Sequence, residues 1–271
     1  MLDDDGPQCR HLGWRHNMAM ARVLAFANQK GGVGKTTSVV TVAAALAEMG
    51  LRVLVVDLDA QACASFSLGV DPEDLKLDVR SVLVDGTDAS QVLIRTAEGV
   101  DLLPASIGLA DADAALASTK GRELAVKKAL KPLQSDYDWI LLDCAPSLGI
   151  VTIGALIAAH AVAIPLQCET LSHRGVGQLL QSIEEVRIFV NPKLKIAGII
   201  PTQYDGRTLH ARAVLSDLPE RYHVTVLPAI HRSIRFAEAP AAGRTVLSTA
   251  PNSVGARDYR ALAQALVDQA K

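Results

Sequence analysis

Aromatic side chains are scarce: Phe, Trp and Tyr make up 4% of the 271 residues, although 49% are hydrophobic. A core with so few rings must be aliphatic and rich in alanine, which suits helices laid on a parallel sheet. Excess charge of one sign is also lacking. The formal net charge is −2 at pH 7, so the whole molecule has no field that would gather nucleic acid. Any such contact must come from a local patch. The cysteines, Cys9, Cys63, Cys144 and Cys168, form no C-x-x-C pair. A zinc or redox motif is therefore unsupported, and reduced thiols in a cytosolic protein are expected. No apolar run is long enough to cross a membrane. Residues 150–166 come nearest, but they carry Gly154, His160 and Pro165 and fall short of the roughly 20 residues a span needs. They read as a buried helix followed by a buried strand. The acidic start, Asp3-Asp4-Asp5, with no apolar segment behind it, is not a signal peptide. Residues 1–21 lack periodicity and are expected to be a disordered tail. Residues 22–271 are expected to form one domain.

What is present centres on Lys30-Gly31-Gly32-Val33-Gly34-Lys35-Thr36-Thr37. A short apolar run, residues 23–27, precedes it and reads as a buried strand. An alanine-rich segment, residues 36–49, follows as a helix closed by Gly50. The stretch fits the phosphate-loop pattern G-x-x-x-x-G-K-[ST], with the first glycine displaced to Gly31-Gly32. Glycines let backbone N–H groups turn inward, because no Cβ blocks positive φ. Those groups and the helix N-terminus converge on one point and favour an anion. Lys35 adds a full charge for the β- and γ-phosphates of a bound nucleotide. The Thr36 hydroxyl is placed for Mg²⁺, and Thr37 for an α-phosphate oxygen.

Further along, residues 52–57 form a strand that ends in Asp57, and Asp57-Leu58-Asp59-Ala60-Gln61 follows at its carboxyl end. In α/β sheets that is where ligands bind. Residues 138–143 form another such strand, four apolar residues leading to Asp143, which fits a Walker B carboxylate holding Mg²⁺ through water. Thr36, Asp57 and Asp143 are the candidate metal ligands. Between them, residues 75–85 and 89–96 read as short helices, 100–104 as a strand, and 108–118 and 121–133 as two more helices. These carry no chemistry motif and are expected to cover one sheet face. Residues 161–166 and 194–201 are buried strands, 176–190 is a helix, and a further helix runs to Arg221. Residues 254–270 form a last helix with Tyr259, Leu262, Leu266 and Val267 on one side. The pattern as a whole predicts an α/β fold, a doubly wound, mostly parallel sheet flanked by helices.

Lys30 is not required by an ordinary phosphate loop. With it, the loop resembles the deviant Walker A motif, K-G-G-x-G-K-[ST]-[ST], of the ParA/MinD family of ATPases. The likeness extends in family order. Asp57, Asp59 and Gln61 match D-x-D-P-Q-[GA]-N, with Ala60 for proline and Cys63 for asparagine. Asp143-Cys144-Ala145-Pro146-Ser147 resembles the D-x-P-P-S switch, and Gln167-Cys168-Glu169 the Q-x-E segment. Residues 202–208, Thr-Gln-Tyr-Asp-Gly-Arg-Thr, closely resemble T-x-Y-D-x-R-T of chromosomal ParA proteins. Residues 231–240 are similar to P-R-N-V-R-L-x-E-A-P, with His231 in the proline slot.

The resemblance implies a P-loop ATPase of the chromosome-partitioning, Soj-like branch. It implies ATP and Mg²⁺ as cofactors, with Lys30, Gly31, Gly32, Val33, Gly34, Lys35, Thr36 and Thr37 on the phosphates and His231 and Ser233 near the base. Lys30 would reach across a nucleotide-sandwich homodimer, and Asp59 would stand beside the attacking water. Asp59, Lys30 and Lys35 are thus the candidate catalytic residues. Between Gln203 and Arg260 all eight basic side chains are arginine, against five acids, and arginine forks suit phosphate oxygens. The resemblance makes Arg207 and Arg235 candidates for nonspecific double-stranded DNA, with Arg232 and Arg212 beside them. It implies a ParB-type partner and a nucleoid-associated, cytoplasmic protein with no membrane expected. The rival readings are a MinD-like membrane regulator, a metallo-ATPase needing paired cysteine ligands, and a scaffold that uses ATP only as a switch.

Overall fold

Each strand of the sheet is an apolar run with both faces covered, and together the runs place every motif at one rim. The computed structural model describes residues 20–168 and 172–271; the predicted tail, Cys9 included, lies almost entirely outside them. The strands are β1 (Arg22–Phe26), β2 (Val53–Leu58), β3 (Ile94–Arg95), β4 (Asp101–Leu103), β5 (Trp139–Cys144), β6 (Ala161–Gln167) and β7 (Lys195–Thr202). They lie in the order β3-β4-β2-β5-β1-β6-β7. All neighbours are parallel except β3, which runs antiparallel to β4. The helices are α1 (Lys35–Glu48), α2 (Cys63–Ser67), α3 (Val79–Leu83), α4 (Ala112–Leu116), α5 (Ala125–Leu130), α6 (Ile150–Ala158), α7 (Ser172–Phe189), α8 (Leu209–Tyr222), α9 (Arg235–Glu238), α10 (Val246–Thr249) and α11 (Val254–Ala270).

Alternate strand residues feed two separate cores, as the pleat requires. Leu24, Phe26, Val53, Val55 and Leu141 pack with Val39, Val42 and Leu46 of α1 and Tyr259, Leu262 and Leu266 of α11. Val23, Ala25, Leu54, Val56, Ile140 and Leu142 pack with α3 to α7 on the other face. The apolar side of α11, legible in the sequence, is therefore spent on α1. Ala21 is already inside the fold: it is buried, and its N–H donates to the Gln134 carbonyl.

The cover between β2 and β5 departs from expectation. Residues 89–96 are not a helix. After one 3-10 turn, Ala89–Gln91, the chain forms β3, with Ile94 opposite Leu102 and Arg95 opposite Asp101. Gly99, at φ 75°, makes the reversal, and the Thr96 N–H and hydroxyl both reach the Val100 carbonyl. β-Branched residues beside a tight glycine turn favour a hairpin over a helix. The helix expected over 75–85 spans only Val79–Leu83, because Asp78 caps it by accepting the Ser81 N–H. Residues 108–118 and 121–133 are likewise broken into 3-10 and α turns, the second of them at Pro132.

Candidate nucleotide site

β1 ends at Phe26, and the chain turns through residues 27–34 into α1. Gly32 and Gly34 take φ of 72° and 80°. Open space surrounds Gly32, so the backbone angle and not crowding demands glycine there. Gly34 is the N-cap of α1 and no side chain caps that helix. Its first-turn N–H groups therefore face the loop and need an outside acceptor. The loop is held from behind. Thr202 Oγ1 donates to the Val33 carbonyl at 2.7 Å, and Gln203 Nε2 to the Gly32 carbonyl at 2.9 Å. Asn28 Nδ2 donates to the Pro165 carbonyl at 2.7 Å, while its Oδ1 accepts the Lys30 N–H at 3.0 Å. Val33 is a fully buried plug. The cradle is thus fixed by the ends of β6 and β7. Lys30, Thr36 and Thr37 are half-buried at its rim.

Lys35 is buried, with Nζ donating to the Lys30 carbonyl at 3.2 Å. Burial pushes its pKa down, and Asp143 and Asp59 oppose that shift. Asp57 and Asp143 stand side by side on paired strands and are both fully buried. Asp57 is well provided: Oδ2 accepts the Ser65 N–H at 2.9 Å and hydroxyl at 2.8 Å, and Oδ1 accepts the Asp59 N–H at 3.2 Å. Asp143 is not. Neither of its oxygens has a hydrogen-bond partner, although the Thr36 hydroxyl is near enough to favour its ionised form. Burial, with the Asp57 charge second, raises the Asp143 pKa well above the usual carboxylate range. An orphaned buried carboxylate beside a hydroxyl, a buried lysine and a glycine cradle is a donor set that fits a hard cation.

Asp59 is half-buried, and its Oδ1 accepts the Gln61 N–H at 3.0 Å. The missing proline at Ala60 is compensated locally. That bond and Ala62 N–H to the Asp59 carbonyl, at 2.8 Å, close the turn without it. Ala62 adopts φ 51°, an unusual angle for a residue with a Cβ, directly before exposed Cys63. Cys144 is buried. Gln167 Nε2 donates to Gln203 Oε1 at 3.0 Å, linking β6 through Gln203 to the loop. Glu169 lies outside the described residues.

Sequence reasoning missed three supports. Ser65 clamps Asp57 and, through Oγ, accepts the Ala105 N–H at 3.0 Å from the end of β4. Asp113 reaches from α4 to accept the Val151 N–H at 2.9 Å, capping α6 directly after the switch. Asp258 of α11 accepts both the His231 N–H, at 2.9 Å, and a contact from its Nδ1 at 3.0 Å. A proline at 231 could not make the first of these. No local pattern signals any of the three, because each partner belongs to another element, 8 to 40 residues away.

His231 also packs edge-on against Tyr204, with ring centroids 5.5 Å apart. The Ser233 hydroxyl accepts the Arg235 N–H at 3.3 Å. Tyr204 and His231 form a bridge beyond β7, which brings residues 203–207 beside 230–235. Arg207 pairs with Asp205 at 2.7 Å and Arg235 with Glu238 at 3.0 Å. The Arg207 hydrogen bond, helped by the Arg232 charge, lowers the Asp205 pKa to about 2. Arg212 is exposed on α8. Arg207 and Arg232 are therefore near each other, next to the loop that Gln203 touches, and Arg235 follows three residues after Arg232.

Residues 21–196 match the AAA domain family. The chain is 50% identical to a Mycobacterium smegmatis protein described as a cobyrinic acid a,c-diamide synthase, crystallised with an ATP analogue and magnesium. That match covers 92% of this chain and 95% of the other, with a TM-score of 0.83. It is 44% identical to the chromosome-partitioning ATPase Soj of Thermus thermophilus, over 91% of this chain and 95% of that protein. It is 40% identical to the sporulation initiation inhibitor protein Soj of Bacillus subtilis, over 90% of this chain and 98% of that one.

Proposed function

Because the chain belongs to the AAA-domain P-loop ATPases, in the Soj-like, chromosome-partitioning branch of the ParA/MinD family, we propose that it is a DNA-partitioning ATPase. In this reading ATP–Mg²⁺ closes two copies into a sandwich dimer, the dimer holds DNA without regard to sequence, and a ParB-type protein stimulates hydrolysis and release. The protein would then sit in the cytoplasm on the nucleoid.

The observation that carries the reading is Asp143, buried and unpartnered beside Lys35 at the cradle mouth. Magnesium is commonly held by one or two carboxylates, water and substrate phosphates, and the residues here fit it. Asp143 and the Thr36 hydroxyl would hold the ion. Asp57, whose oxygens already accept three hydrogen bonds, would act through water. Bound there, the ion would neutralise phosphate charge. The backbone of residues 31–35 and Thr37 would bind the phosphate oxygens, and Lys35 would offset the charge that grows on them. Asp59, pinned by its own turn, would orient the attacking water; positioning is most of what phosphoryl transfer needs. Lys30 would complete the facing copy's pocket. His231, held by Asp258, and Ser233 would border the base.

Arg207, Arg232 and Arg235 supply the DNA contact in this reading. The pairs made by Arg207 and Arg235 are exposed to solvent and screened by it, so phosphates can displace Asp205 and Glu238 readily. Membrane attachment through α11 is disfavoured because Tyr259, Leu262 and Leu266 are buried against α1. Among the described residues no helix is long and apolar enough to cross a membrane. The described cysteines, Cys63, Cys144 and Cys168, are free thiols, which gives a cluster-carrier reading no support.

Binding to random duplex DNA, measured with ATP, ADP and no nucleotide across a salt series, tests the proposal. ATP-dependent binding should weaken by about 0.9 log units of affinity per log unit of salt for each phosphate contact. Equal binding with ADP would overturn the switch. Vesicle binding without DNA binding would favour the MinD-like alternative. ATP turnover that rises with a corrinoid acid and an ammonia donor, and not with DNA and partner, would favour the chemistry printed for the M. smegmatis protein.

A further inference from the structure

One charged surface is not used by that reading. Lys120, Arg122, Lys127, Lys128 and Lys131 fall within twelve residues, with Glu123 as the one acid among them. All five cations are exposed. They lie on α5 and the turns that flank it, and α5 packs on α3 and α6. Arg207 and Arg232 lie elsewhere, beside the bridge beyond the edge strand β7.

The two groups differ in how their charge is met. Arg207 and Arg235 are ion-paired, as are Arg52, Arg80, Arg95, Arg244 and Arg260. Lys120, Lys127, Lys128 and Lys131 make no ion pair among the described residues. Glu123, the acid inside the run, forms no ion pair among the described residues, and the next acids along the chain are engaged elsewhere: Asp111 and Asp85 by Arg80, Asp113 by the α6 N-terminus, Asp136 by the Ser135 hydroxyl. Lys127 and Lys131 stand one helical turn apart, a spacing at which like charges repel. The field of Lys127 reaches far enough to help, after burial and Arg22, to lower the pKa of His160. The surface is thus a cation patch without ion pairs for its lysines, on the short helix α5 and the turns beside it, in a protein whose overall charge is −2.

We propose that this lysine face is a second, sequence-independent contact for the sugar–phosphate backbone of duplex DNA. The inference rests on the DNA-binding reading above. Its chemistry favours nucleic acid over an acidic protein. Protein interfaces are depleted in lysine and built on aromatic or apolar anchors, and no large apolar side chain is exposed between residues 120 and 132. Phosphate contacts need only mobile positive charge.

The test compares full-length wild type with K127Q/K128Q/K131Q, the charge-keeping K127R/K128R/K131R, and a control that removes distant lysines, K76Q/K193Q. Each is titrated with random duplex DNA and with poly-L-glutamate, in a nonhydrolysable ATP analogue with Mg²⁺, across salt. The glutamine variant should bind DNA on the order of tenfold or more weakly at 0.1 M salt, with a log–log slope shallower by about 2–3. The arginine variant and the control should match wild type. A glutamine variant with wild-type affinity and slope for DNA overturns the inference and leaves the arginine edge as the DNA site. Loss of poly-L-glutamate binding with DNA binding intact overturns it in favour of an acidic protein. Wild type that binds no DNA in the analogue overturns the parent reading and this one together.

Discussion

Replacing Asp143 with asparagine should stabilise the ligand-free protein while removing its response to magnesium. The side chains are nearly isosteric, so packing around this fully buried residue changes little. What changes is charge. Both Asp143 oxygens lack a partner, and a buried polar group left unsatisfied costs about 1–3 kcal/mol, more when charged. Asparagine also removes the repulsion from Asp57. Against this, Lys35 is only 7% exposed and Asp143 is the largest influence holding its charge. Part of the gain is cancelled, leaving a net of about 1 kcal/mol, which raises the melting temperature by roughly 2–4 °C. The sign with pH follows from the raised pKa of Asp143 in the fold. Wild type carries no penalty below the unfolded-state value near pH 4, and the penalty grows as pH rises from there toward the folded-state pKa. The advantage of D143N should therefore be largest at pH 7–8 and shrink toward pH 5. Calorimetry of both proteins, with and without Mg²⁺ and ATP, reads all of this. A variant that melts below wild type at pH 8 without metal, or that still gains stability from Mg²⁺ with ATP, would refute the reasoning.

Two further substitutions test the supports. Ser65→Ala removes a hydroxyl that donates to Asp57 and accepts from the Ala105 N–H. It should lower unfolding free energy in urea by about 2–3 kcal/mol and slow ATP turnover; a loss under about 0.5 kcal/mol would show the clamp to be idle. Gly149→Ala would place a Cβ against the Asp113 carboxylate that caps α6. It should cost about 1 kcal/mol, and so should Asp113→Ala. The double variant should cost little more than either alone, since both break one contact; additive losses would separate them.

The strands of the site were legible because a parallel strand covered on both faces must be an unbroken apolar run, and the ligand-side carboxylates follow those runs directly. The phosphate loop was legible because its chemistry is local: glycines, a lysine and a helix start within eight residues. Asp57 and Asp143 read alike from the sequence, each an aspartate closing a strand. Only the fold separates them, by giving Ser65 to one and leaving the other's oxygens without a hydrogen-bond partner. The hairpin at Ile94–Arg95 was hidden because a two-residue strand exists through its partner, Asp101–Leu103, and has no periodicity of its own. The same holds for Asp113 and Asp258, whose roles depend on elements 38 and 27 residues away. From the sequence His231 was a departure in a proline slot near the base; the fold makes it an anchor to α11.

In the proposed cycle two copies share the triphosphate, each completing the other's pocket with Lys30. Sedimentation velocity of wild type and Lys30→Ala in a nonhydrolysable ATP analogue with Mg²⁺, and again in ADP, tests it most directly. Wild type should sediment as a dimer with the analogue and as a monomer with ADP, and Lys30→Ala should keep some nucleotide affinity yet stay monomeric in both. Wild type that remains monomeric with saturating analogue, or a Lys30→Ala dimer, would contradict it.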